Sequence, residues 1–574
     1  MRVRHVLTNT AAQPYLVEEL SVLVPVPDRV SEQLDCTGRH THERVPQRRE
    51  IASGVWLREG RGGRPGFESP TLLVAGTAGF GFRQGEVWAV HVGWSGNARY
   101  LLERRPSGFT VLGAGELLLP GEVVLLQSDT YATPWVYLVS SRDGLDGLSR
   151  QLHTFQRSLP AHPNSPRPVT LNTWEAVYFD HDLGTLESLA ERAAAIGAER
   201  FVLDDGWFGS RRDPKAGLGD WVVSADAWPR GLHPLVAKVQ TLGMQFGIWF
   251  EPEMVNPDSE LYRHHPDWIL STGGRVPMTQ RHQFVLDLSR DDVRDHLLGQ
   301  LDAVLSEYPI DYVKWDHNRD LVDAGGARAA GAAVVHAHTL GYYSLLDELR
   351  RRHPGVEWES CASGGARIDL GVIERVQRFW TSDLTDPLGR QLLQRWTQLL
   401  IAPEYLGAHV CAPVNHTTGR TTSLDFRAAT AFFLAMGVEW DLTRASAAEL
   451  DRLGRWIALH KQHRPLLHRG ESVRVDLAEP LVLIHGVVAA DRSAAIFAYV
   501  QLDDLVTAPP PFLLAGLDPR RRYQVTRVHP DPGDGAWRAD GLELSGQVLH
   551  AVGLPAPPRR PMSADIVHLR AYAD

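Results

Sequence analysis

The sequence predicts a multidomain α/β protein with a central (β/α)8 TIM barrel, an N-terminal β-sandwich domain and a small C-terminal all-β domain. Three observations predict this architecture. Short β patterns dominate as far as about Leu159, strands alternate with helices from Val169 to about Leu467, and β patterns return beyond Glu471. The length of 574 residues also exceeds a single hydrophobic core and indicates about three domains.

Residues 1–167 are predicted to form an antiparallel β-sandwich that ends in a linker helix. Alternating side chains, as in Trp88, Val90, Val92 and Trp94, and short apolar runs at 123–126 and 135–139 are typical of strands. Leu145, Leu148, Leu152 and Phe155 then follow a helical spacing. Four prolines within residues 160–168 predict a semi-rigid linker to the next domain.

Residues 168–470 are predicted to form the barrel. The candidate strands are residues 170–174, 200–204, 245–250, 311–315, 356–359 and 378–381, with helical patterns between them, such as 183–196 and 291–305. The spacing of Ser289 and Asp292 predicts a capping box at the start of the second of these helices. Regular alternation over this length indicates a single barrel rather than separate units.

Almost every candidate strand ends in residue types that carry chemistry. The strand-end residues are Trp174, Glu175, Asp204, Asp205, Trp249, Glu251, Lys314, Asp316, Glu359, Cys361 and Asp383. Because a (β/α)8 barrel places its active site at the C-terminal ends of its strands, these side chains are expected to converge on one pocket.

Residues 471–574 are predicted to form an antiparallel β domain. The helical periodicity disappears after residue 471, and short β-like runs occur at 481–484, 495–500, 523–526 and 548–552.

Composition narrows the possible partners and the compartment. The formal net charge is −10 and the basic residues are scattered, so no nucleic acid partner is expected. No run of about 18 apolar residues occurs, so no membrane partner is expected. Three cysteines without paired spacing and an N-terminus without an uninterrupted apolar region predict a cytoplasmic protein.

A barrel mouth rich in carboxylates and tryptophans, without a phosphate-binding glycine loop, points to a neutral sugar. Carboxylates accept hydrogen bonds from hydroxyl groups, and indole rings pack against the apolar face of a sugar ring. No cofactor and no metal are expected. His336 and His338 stand two residues apart on a predicted helix, point to different sides and are predicted to be structural.

Asp316 and Asp383 are the candidate catalytic pair, because cleavage of a glycosidic bond needs one ionised and one protonated carboxyl group. Lys314 lies two residues before Asp316 on the same side of an extended stretch. Its ammonium is expected to favour the ionised carboxylate, which suits a nucleophile. Apolar and aromatic neighbours are expected to raise the pKa of Asp383, which suits a proton donor.

Five motifs together resemble the α-galactosidases of glycoside hydrolase family 36. They are Leu203-Asp-Asp-Gly-Trp207, Trp249-Phe-Glu-Pro-Glu253, Lys314-Trp-Asp-His-Asn-Arg319, Cys361-Ala-Ser-Gly-Gly365 and Trp380-Thr-Ser-Asp-Leu-Thr-Asp386. The resemblance implies a retaining exo-acting hydrolase of terminal α-linked galactose in oligosaccharides such as melibiose and raffinose, with Asp316 as nucleophile and Asp383 as acid/base.

The resemblance also implies how galactose is bound. Asp204 and Asp205 would bind its outer hydroxyls, Trp174 and Trp249 would flank the ring, Arg281 and Lys314 would donate hydrogen bonds, and Cys361 and Gly364 would line the side near the 2-hydroxyl. Trp207, Trp315 and Trp380 are predicted to be packing residues, and Glu251 and Glu253 to have supporting roles. The protein is a possible homo-oligomer.

Four alternatives remain open at this point. Two are enzymatic neighbours, namely α-galactosyl transfer of the raffinose-forming type and hydrolysis of α-N-acetylgalactosaminides. A third is a galactose-binding protein on an inactive barrel. The fourth is a metal-dependent hydrolase that uses Asp204, Asp205 and Asp316.

Overall fold

Eight parallel strands close into a barrel at the centre of the computed structural model, which describes residues 1–163, 165–531, 537–558 and 560–572. The barrel strands in order are Thr170–Asn172, Arg200–Leu203, Gln245–Phe250, Tyr312–Trp315, Glu357–Ser360, Arg378–Trp380, Leu406–Cys411 and Ala435–Glu439. The first strand pairs with both the second and the eighth, with Thr170 opposite Arg200 and Gly437, which closes the barrel. The predicted fold class is therefore confirmed.

The first six barrel strands match the candidate strands to within two residues at each end, whereas the seventh and eighth were not identified from the sequence. Leu406–Cys411 and Ala435–Glu439 each contain a glycine and few β-branched residues, so local propensity does not indicate a strand. Every residue of both strands is buried. Packing inside the barrel determines these two strands.

Helices alternate with the barrel strands as expected. They are Trp174–Val177, Leu183–Ala195, His233–Thr241, Glu260–His264, Asp291–Glu307, Val335–Arg352, Pro387–Thr397, Leu424–Ala431 and Ala447–Leu467. The capping box predicted at Ser289 is wrong, because Arg290 is the N-cap residue of Asp291–Glu307. The Ser289 hydroxyl instead donates to Asp287, and Asp292 accepts hydrogen bonds from Arg290.

The N-terminal region consists of antiparallel sheets. A six-stranded sheet contains, in spatial order, Arg2–Val3, Trp135–Ser141, Val87–Gly93, Leu73–Gly76, Glu32–Arg39 and His42–Glu50. A four-stranded sheet contains Val22–Val26, Thr110–Glu116, Ala98–Arg104 and Gly54–Gly60. Two ribbons pair Val123–Leu125 with Tyr15–Val17 and Thr130–Ala132 with Val6–Thr8. The predicted helix follows as Gly144–Arg157.

In the described part of the C-terminal region, six strands form one antiparallel sheet. Its spatial order is Glu471–Val475, Val482–Val488, Ala494–Gln501, Ser563–Ala571, Arg522–Val528 and Glu543–Ser545, and the short helix Gly546–Ala551 follows the last of these. Residues 548–552, predicted as a β run, therefore lie mostly in a helix. Among the described residues, no helix combines the length and apolar composition needed to cross a membrane.

Candidate active site

A cavity of about 480 Å³ opens at the C-terminal ends of the barrel strands. Its wall contains Trp174, Asp204, Asp205, Trp249, Arg281, Lys314, Asp316, Cys361 and Asp383, all of them candidate site residues from the sequence. Gly364 lies outside this wall. Tertiary structure thus brings side chains from strands far apart in the chain into one polar pocket, as expected for a (β/α)8 barrel.

Asp316 follows the fourth barrel strand and is 7% exposed. The backbone N–H groups of His317 and Ser363 donate to Oδ1 at 2.8 and 3.2 Å. The side chains of Asn318 and Trp249 donate to Oδ2 at 2.7 and 3.2 Å. Because an ionised carboxylate only accepts hydrogen bonds, four donors hold this side chain in one orientation in its charged form.

Lys314 does not have the role that its spacing predicted. Its Nζ donates to Asp204 Oδ2 at 2.8 Å, so the ammonium pairs across the barrel with the second strand rather than with Asp316. Burial opposes its charge, but Asp204 and the carboxyl groups beyond it hold the pKa of Lys314 well above its usual range. Hydrogen-bond donors, not this ammonium, surround the carboxylate of Asp316.

Asp205 is held by Arg211, a residue that the sequence analysis did not select. Arg211 Nε donates to Oδ1 at 2.9 Å and Nη2 to Oδ2 at 2.8 Å, a bidentate pair that fixes the plane of the carboxylate. Burial raises the pKa of Asp205 in spite of this cation. Arg211 lies only six residues downstream, but its neighbour Arg212 is indistinguishable from it by sequence.

Asp383 follows the sixth barrel strand and contacts two donors. Trp380 Nε1 donates to Oδ1 at 3.1 Å, and His40 Nε2 lies 2.8 Å from Oδ2. Burial raises the pKa of Asp383, but the hydrogen bond and positive charge of His40 outweigh it, and the pKa is lowered. The predicted rise is therefore wrong, because sequence neighbours do not reveal a partner 343 positions away.

Trp380 is buried and packs against His409 and Arg390, as predicted, and it also borders the cavity. Trp207 and Trp315 are buried, and their indole N–H groups donate to Trp249 O and Glu253 Oε1 at 2.9 and 2.8 Å. These two serve packing, as predicted.

Glu251 and Glu253 occupy different surroundings. Glu251 lines the cavity, and burial together with the charge of Asp316 raises its pKa to about 8. Glu253 lies beneath the site, where Arg367 Nη1 donates to Oε1 at 2.8 Å and His317 Nδ1 lies 3.2 Å from Oε2. Each carboxyl group contacts a residue close to Asp316 in the chain, Asn318 for Glu251 and His317 for Glu253.

Arg281, Cys361 and Gly364 complete the predicted set. Arg281 Nη1 donates to Asn318 Oδ1 at 2.8 Å, so it braces the side chain that holds Asp316. Cys361 is a buried free thiol on the cavity wall, and burial raises its pKa well above the usual range. Gly364 approaches the backbone of Asp383, where an added Cβ would lie 2.6 Å from the backbone nitrogen.

Several wall residues were missed by sequence reasoning. These are His40, Thr41, Arg211, Gln283, His416, Thr417 and Glu439. Glu439 is the last residue of the eighth barrel strand. Because candidate residues were chosen at the ends of predicted strands, predicting this strand would also have selected Glu439. His40 and Thr41 come from the N-terminal sheet, and no local pattern links them to the barrel.

In the parts of the chain that the structure describes, no group of three or more His, Cys, Asp and Glu side chains could hold a metal ion. His336 Nδ1 lies 2.9 Å from Glu116 of the N-terminal sheet, and His338 packs near Glu253, so the two histidines have separate structural partners.

Comparison with known proteins identifies the family. The Melibiase family model matches residues 130–470, and the glycosyl hydrolase family 36 N-terminal and C-terminal domain models match residues 1–126 and 484–569. An Escherichia coli α-galactosidase is 43% identical over 99% of this chain and 82% of its own length.

Solved structures agree with these matches. The crystal structure of the family 36 α-galactosidase AgaA from Geobacillus stearothermophilus is 34% identical, with a TM-score of 0.90 over 96% of this chain and 76% of that one. A variant of AgaA in complex with raffinose has a TM-score of 0.89 at the same identity and coverage. The chain therefore belongs to glycoside hydrolase family 36 and is a hydrolase.

Proposed function

We propose that this protein is a retaining exo-α-galactosidase that releases terminal α-linked galactose from oligosaccharides such as melibiose and raffinose. The observation that carries the proposal is the shared cavity of Asp316 and Asp383, one carboxylate held by four donors and the other 2.8 Å from the imidazole of His40. The names of the relatives, which are α-galactosidases, and the raffinose complex of AgaA support the substrate class.

The first step of the proposed reaction forms a covalent intermediate. Asp383 gives a proton to the glycosidic oxygen while Asp316 attacks the anomeric carbon, and the aglycone leaves as an alcohol. The four donors to Asp316 hold its carboxyl group in one orientation, which lowers the cost of orienting the nucleophile.

The second step releases galactose. Asp383, now a carboxylate, removes a proton from water, and the water oxygen displaces Asp316 from the anomeric carbon. Two inversions give net retention of the α configuration.

The ion pairs at the ends of the second and fourth barrel strands suit recognition of sugar hydroxyls. The Asp204–Lys314 and Asp205–Arg211 pairs are buried on the cavity wall and present oriented carboxylate oxygens. Trp174 and Trp249 supply apolar ring surface on the same wall. The small cavity favours a chain end over the interior of a polymer, which supports exo action.

Replacing the nucleophile tests the proposal. Asp316→Ala should lower kcat on 4-nitrophenyl α-galactoside by roughly 10⁴-fold or more, because the covalent step is lost. Added azide should restore turnover and give β-galactosyl azide, because azide enters from the vacated face. Exposed Asp258→Ala is the control and should keep full activity.

Four measurements on the unaltered enzyme complete the test. Proton NMR should detect α-galactose as the first product, and first-formed β-galactose would overturn retention. Assays with the β-galactoside and the α-N-acetylgalactosaminide, and product analysis at high sugar concentration, separate hydrolysis of α-galactosides from the alternative activities. Inactivity on all three aryl glycosides would overturn the proposal, and full activity in a strong chelator would exclude the metal-dependent alternative.

Three further predictions belong to this proposal. The domain boundaries are 1–167, 168–470 and 471–574. The location is cytoplasmic, which the three free buried cysteines support. The protein is a possible homo-oligomer without a nucleic acid or membrane partner.

A further inference from the structure

His40 reaches the candidate proton donor from a different part of the molecule. It lies in the turn between Glu32–Arg39 and His42–Glu50, two paired strands of the N-terminal sheet. Its Nε2 lies 2.8 Å from Asp383 Oδ2, and its ring packs 5.6 Å from that of Phe67. Both His40 and Asp383 line the cavity, so the contact is part of the site.

The strand that follows the turn with His40 is attached to the barrel at two consecutive residues. Glu43 Oε2 accepts a hydrogen bond from Ser382 Oγ at 2.7 Å, next to Asp383 in the chain. Arg44 Nη2 donates to Gly365 O at 2.6 Å, in the loop after the fifth barrel strand. Glu43 and Arg44 are 3% and 2% exposed, so both attachments are buried, and they hold His40 next to Asp383.

The remaining surroundings of Asp383 leave His40 as its titratable hydrogen-bond partner. The other oxygen is bonded by Trp380 Nε1, which neither gains nor loses a proton. The charged or titratable groups that face the pair from neighbouring elements are Glu43, Arg281, Lys314, Cys361, Arg390, His416 and Glu439. Two of these groups change the pKa of His40 directly. The negative charge of Glu43 raises it, and the positive charge of Arg281 lowers it.

We propose that His40 is a positioning residue that shares one proton with Asp383 and so supplies the acid for the first step. The inference rests on the proposed function. In the resting enzyme the proton is on Nε2 and Asp383 is a carboxylate. Transfer to Oδ2 leaves neutral imidazole and a carboxyl group, and that proton then passes to the glycosidic oxygen as its bond to the anomeric carbon breaks.

The cycle closes in the second step. Asp383 accepts a proton from the attacking water, and the water oxygen bonds to the anomeric carbon as the bond to Asp316 breaks. The proton returns from Oδ2 to Nε2 of His40, which restores the starting pair. No external acid or base enters the balance.

The charge state of the pair gives the expected pH dependence. The hydrogen bond to Asp383, and then the charges of Asp383 and Glu43, raise the pKa of His40 against the opposing effect of burial. The pair therefore keeps its one proton until the pH rises through a value above the ordinary histidine range. Without His40 the carboxyl group alone must hold that proton, and it loses it at lower pH.

Two variants separate proton storage from simple orientation. His40→Phe removes both the donor and the titrating group, whereas His40→Gln keeps an amide N–H at the end of the side chain but cannot titrate. His42→Phe is the matched control, because His42 is an exposed histidine two residues along the same hairpin and outside the cavity wall.

We expect both His40 variants to lose about tenfold or more in kcat/KM on melibiose at pH 7, within the range of general acid catalysis. The alkaline limb of the pH profile should move down by about one unit, since the carboxyl group then titrates alone. On 2,4-dinitrophenyl α-galactoside, whose leaving group needs no protonation, the loss in kcat/KM should be less than about threefold. His42→Phe should match the unaltered enzyme on both substrates.

Three outcomes would overturn the inference. The first is an alkaline limb of the pH profile that is unchanged in His40→Phe, and the second is an unchanged limb in His40→Gln. The third is an equal loss of kcat/KM on both substrates, which would assign His40 to binding. Inactivity of the unaltered enzyme on the dinitrophenyl galactoside would instead overturn the proposed function, so the two failures are distinguishable.

Discussion

Glu251 follows the third barrel strand and is completely buried beside Asp316. Its pKa of about 8 arises from burial and from the negative charge of Asp316, so the carboxyl group is mostly protonated at pH 7. The backbone N–H of Asn318 donates to Oε1 at 2.7 Å. Gln283 Oε1 has no hydrogen-bond partner among the described residues, and a half-turn of that amide would let protonated Glu251 donate to it.

A neutral Glu251 predicts the effect of Glu251→Gln on stability. Because the folded-state pKa is raised, Glu251 holds more of its proton in the native state than in the unfolded state between pH 4.5 and 8, so its contribution to stability falls as the pH rises through this range. The variant lacks this dependence. Its Tm relative to the unaltered protein should therefore increase from pH 5 to pH 8, measured by calorimetry.

The exposed Glu18→Gln is the control and should give the same Tm difference at both pH values. A Glu251→Gln difference that is constant or decreases with pH would show that Glu251 is ionised in the folded protein.

At the scale of elements, the loop after the fifth barrel strand lies against the loop after the sixth. Gly364 has a φ of +84°, and its added Cβ would lie 2.6 Å from Asp383 N. At Gly365 the added Cβ would lie 2.3 Å from Thr381 O. Both glycines permit the backbone approach that positions Asp383, which explains their place in the motif better than contact with the sugar does.

Gly364→Ala should therefore destabilise the protein and lower activity together. We expect a loss of about 2 to 4 kcal/mol in the free energy of unfolding, from left-handed backbone strain and overpacking. Displacement of Asp383 should lower kcat about 100-fold. Urea unfolding and steady-state kinetics measure the two effects.

Gly108→Ala separates backbone strain from the close approach. Gly108 has a similar φ of +88°, but nothing lies within 4 Å of its added Cβ. This control should cost about 1 to 2 kcal/mol and leave kcat unchanged. Equal effects of the two substitutions would show that the approach to Asp383 is unimportant.

At the scale of the whole molecule, a buried ion pair joins three regions. Arg474, in the C-terminal sheet, donates from Nε to Asp146 Oδ1 at 2.8 Å, and Asp146 lies in the helix Gly144–Arg157. The same guanidinium donates to Arg395 O in the barrel helix Pro387–Thr397 at 3.1 Å and to Ser149 Oγ at 2.8 Å. Arg474 and Asp146 are 3% and 6% exposed.

Arg474→Met should lower the stability of the whole chain. Removing Arg474 takes away the hydrogen-bonded cation of the buried Asp146 carboxylate and leaves only the more exposed Arg83 guanidinium, 3.7 Å away, which costs about 3 to 5 kcal/mol. Arg492→Met breaks the more exposed Arg492–Glu471 pair in the same sheet and should cost only about 0 to 1 kcal/mol. Thermal unfolding of both variants compares them, and similar Tm values would contradict a joining role for Arg474.

The sequence by itself determined the fold class, six of the eight barrel strands and the candidate residues at their ends. Local periodicity and residue type carry that information, because each strand delivers its own polar residues to the mouth of the barrel. Asp316 and Asp383 could be selected in this way, each next to its own strand.

Only the tertiary structure decided how these residues are paired. Lys314 bonds Asp204 instead of Asp316, and Asp383 contacts His40 from a separate sheet. The seventh and eighth strands likewise form because neighbouring strands bury them. The physical reason is the same in each case. Hydrogen bonds, charge and burial act through space over a few ångströms, whereas sequence patterns report only on neighbours along the chain.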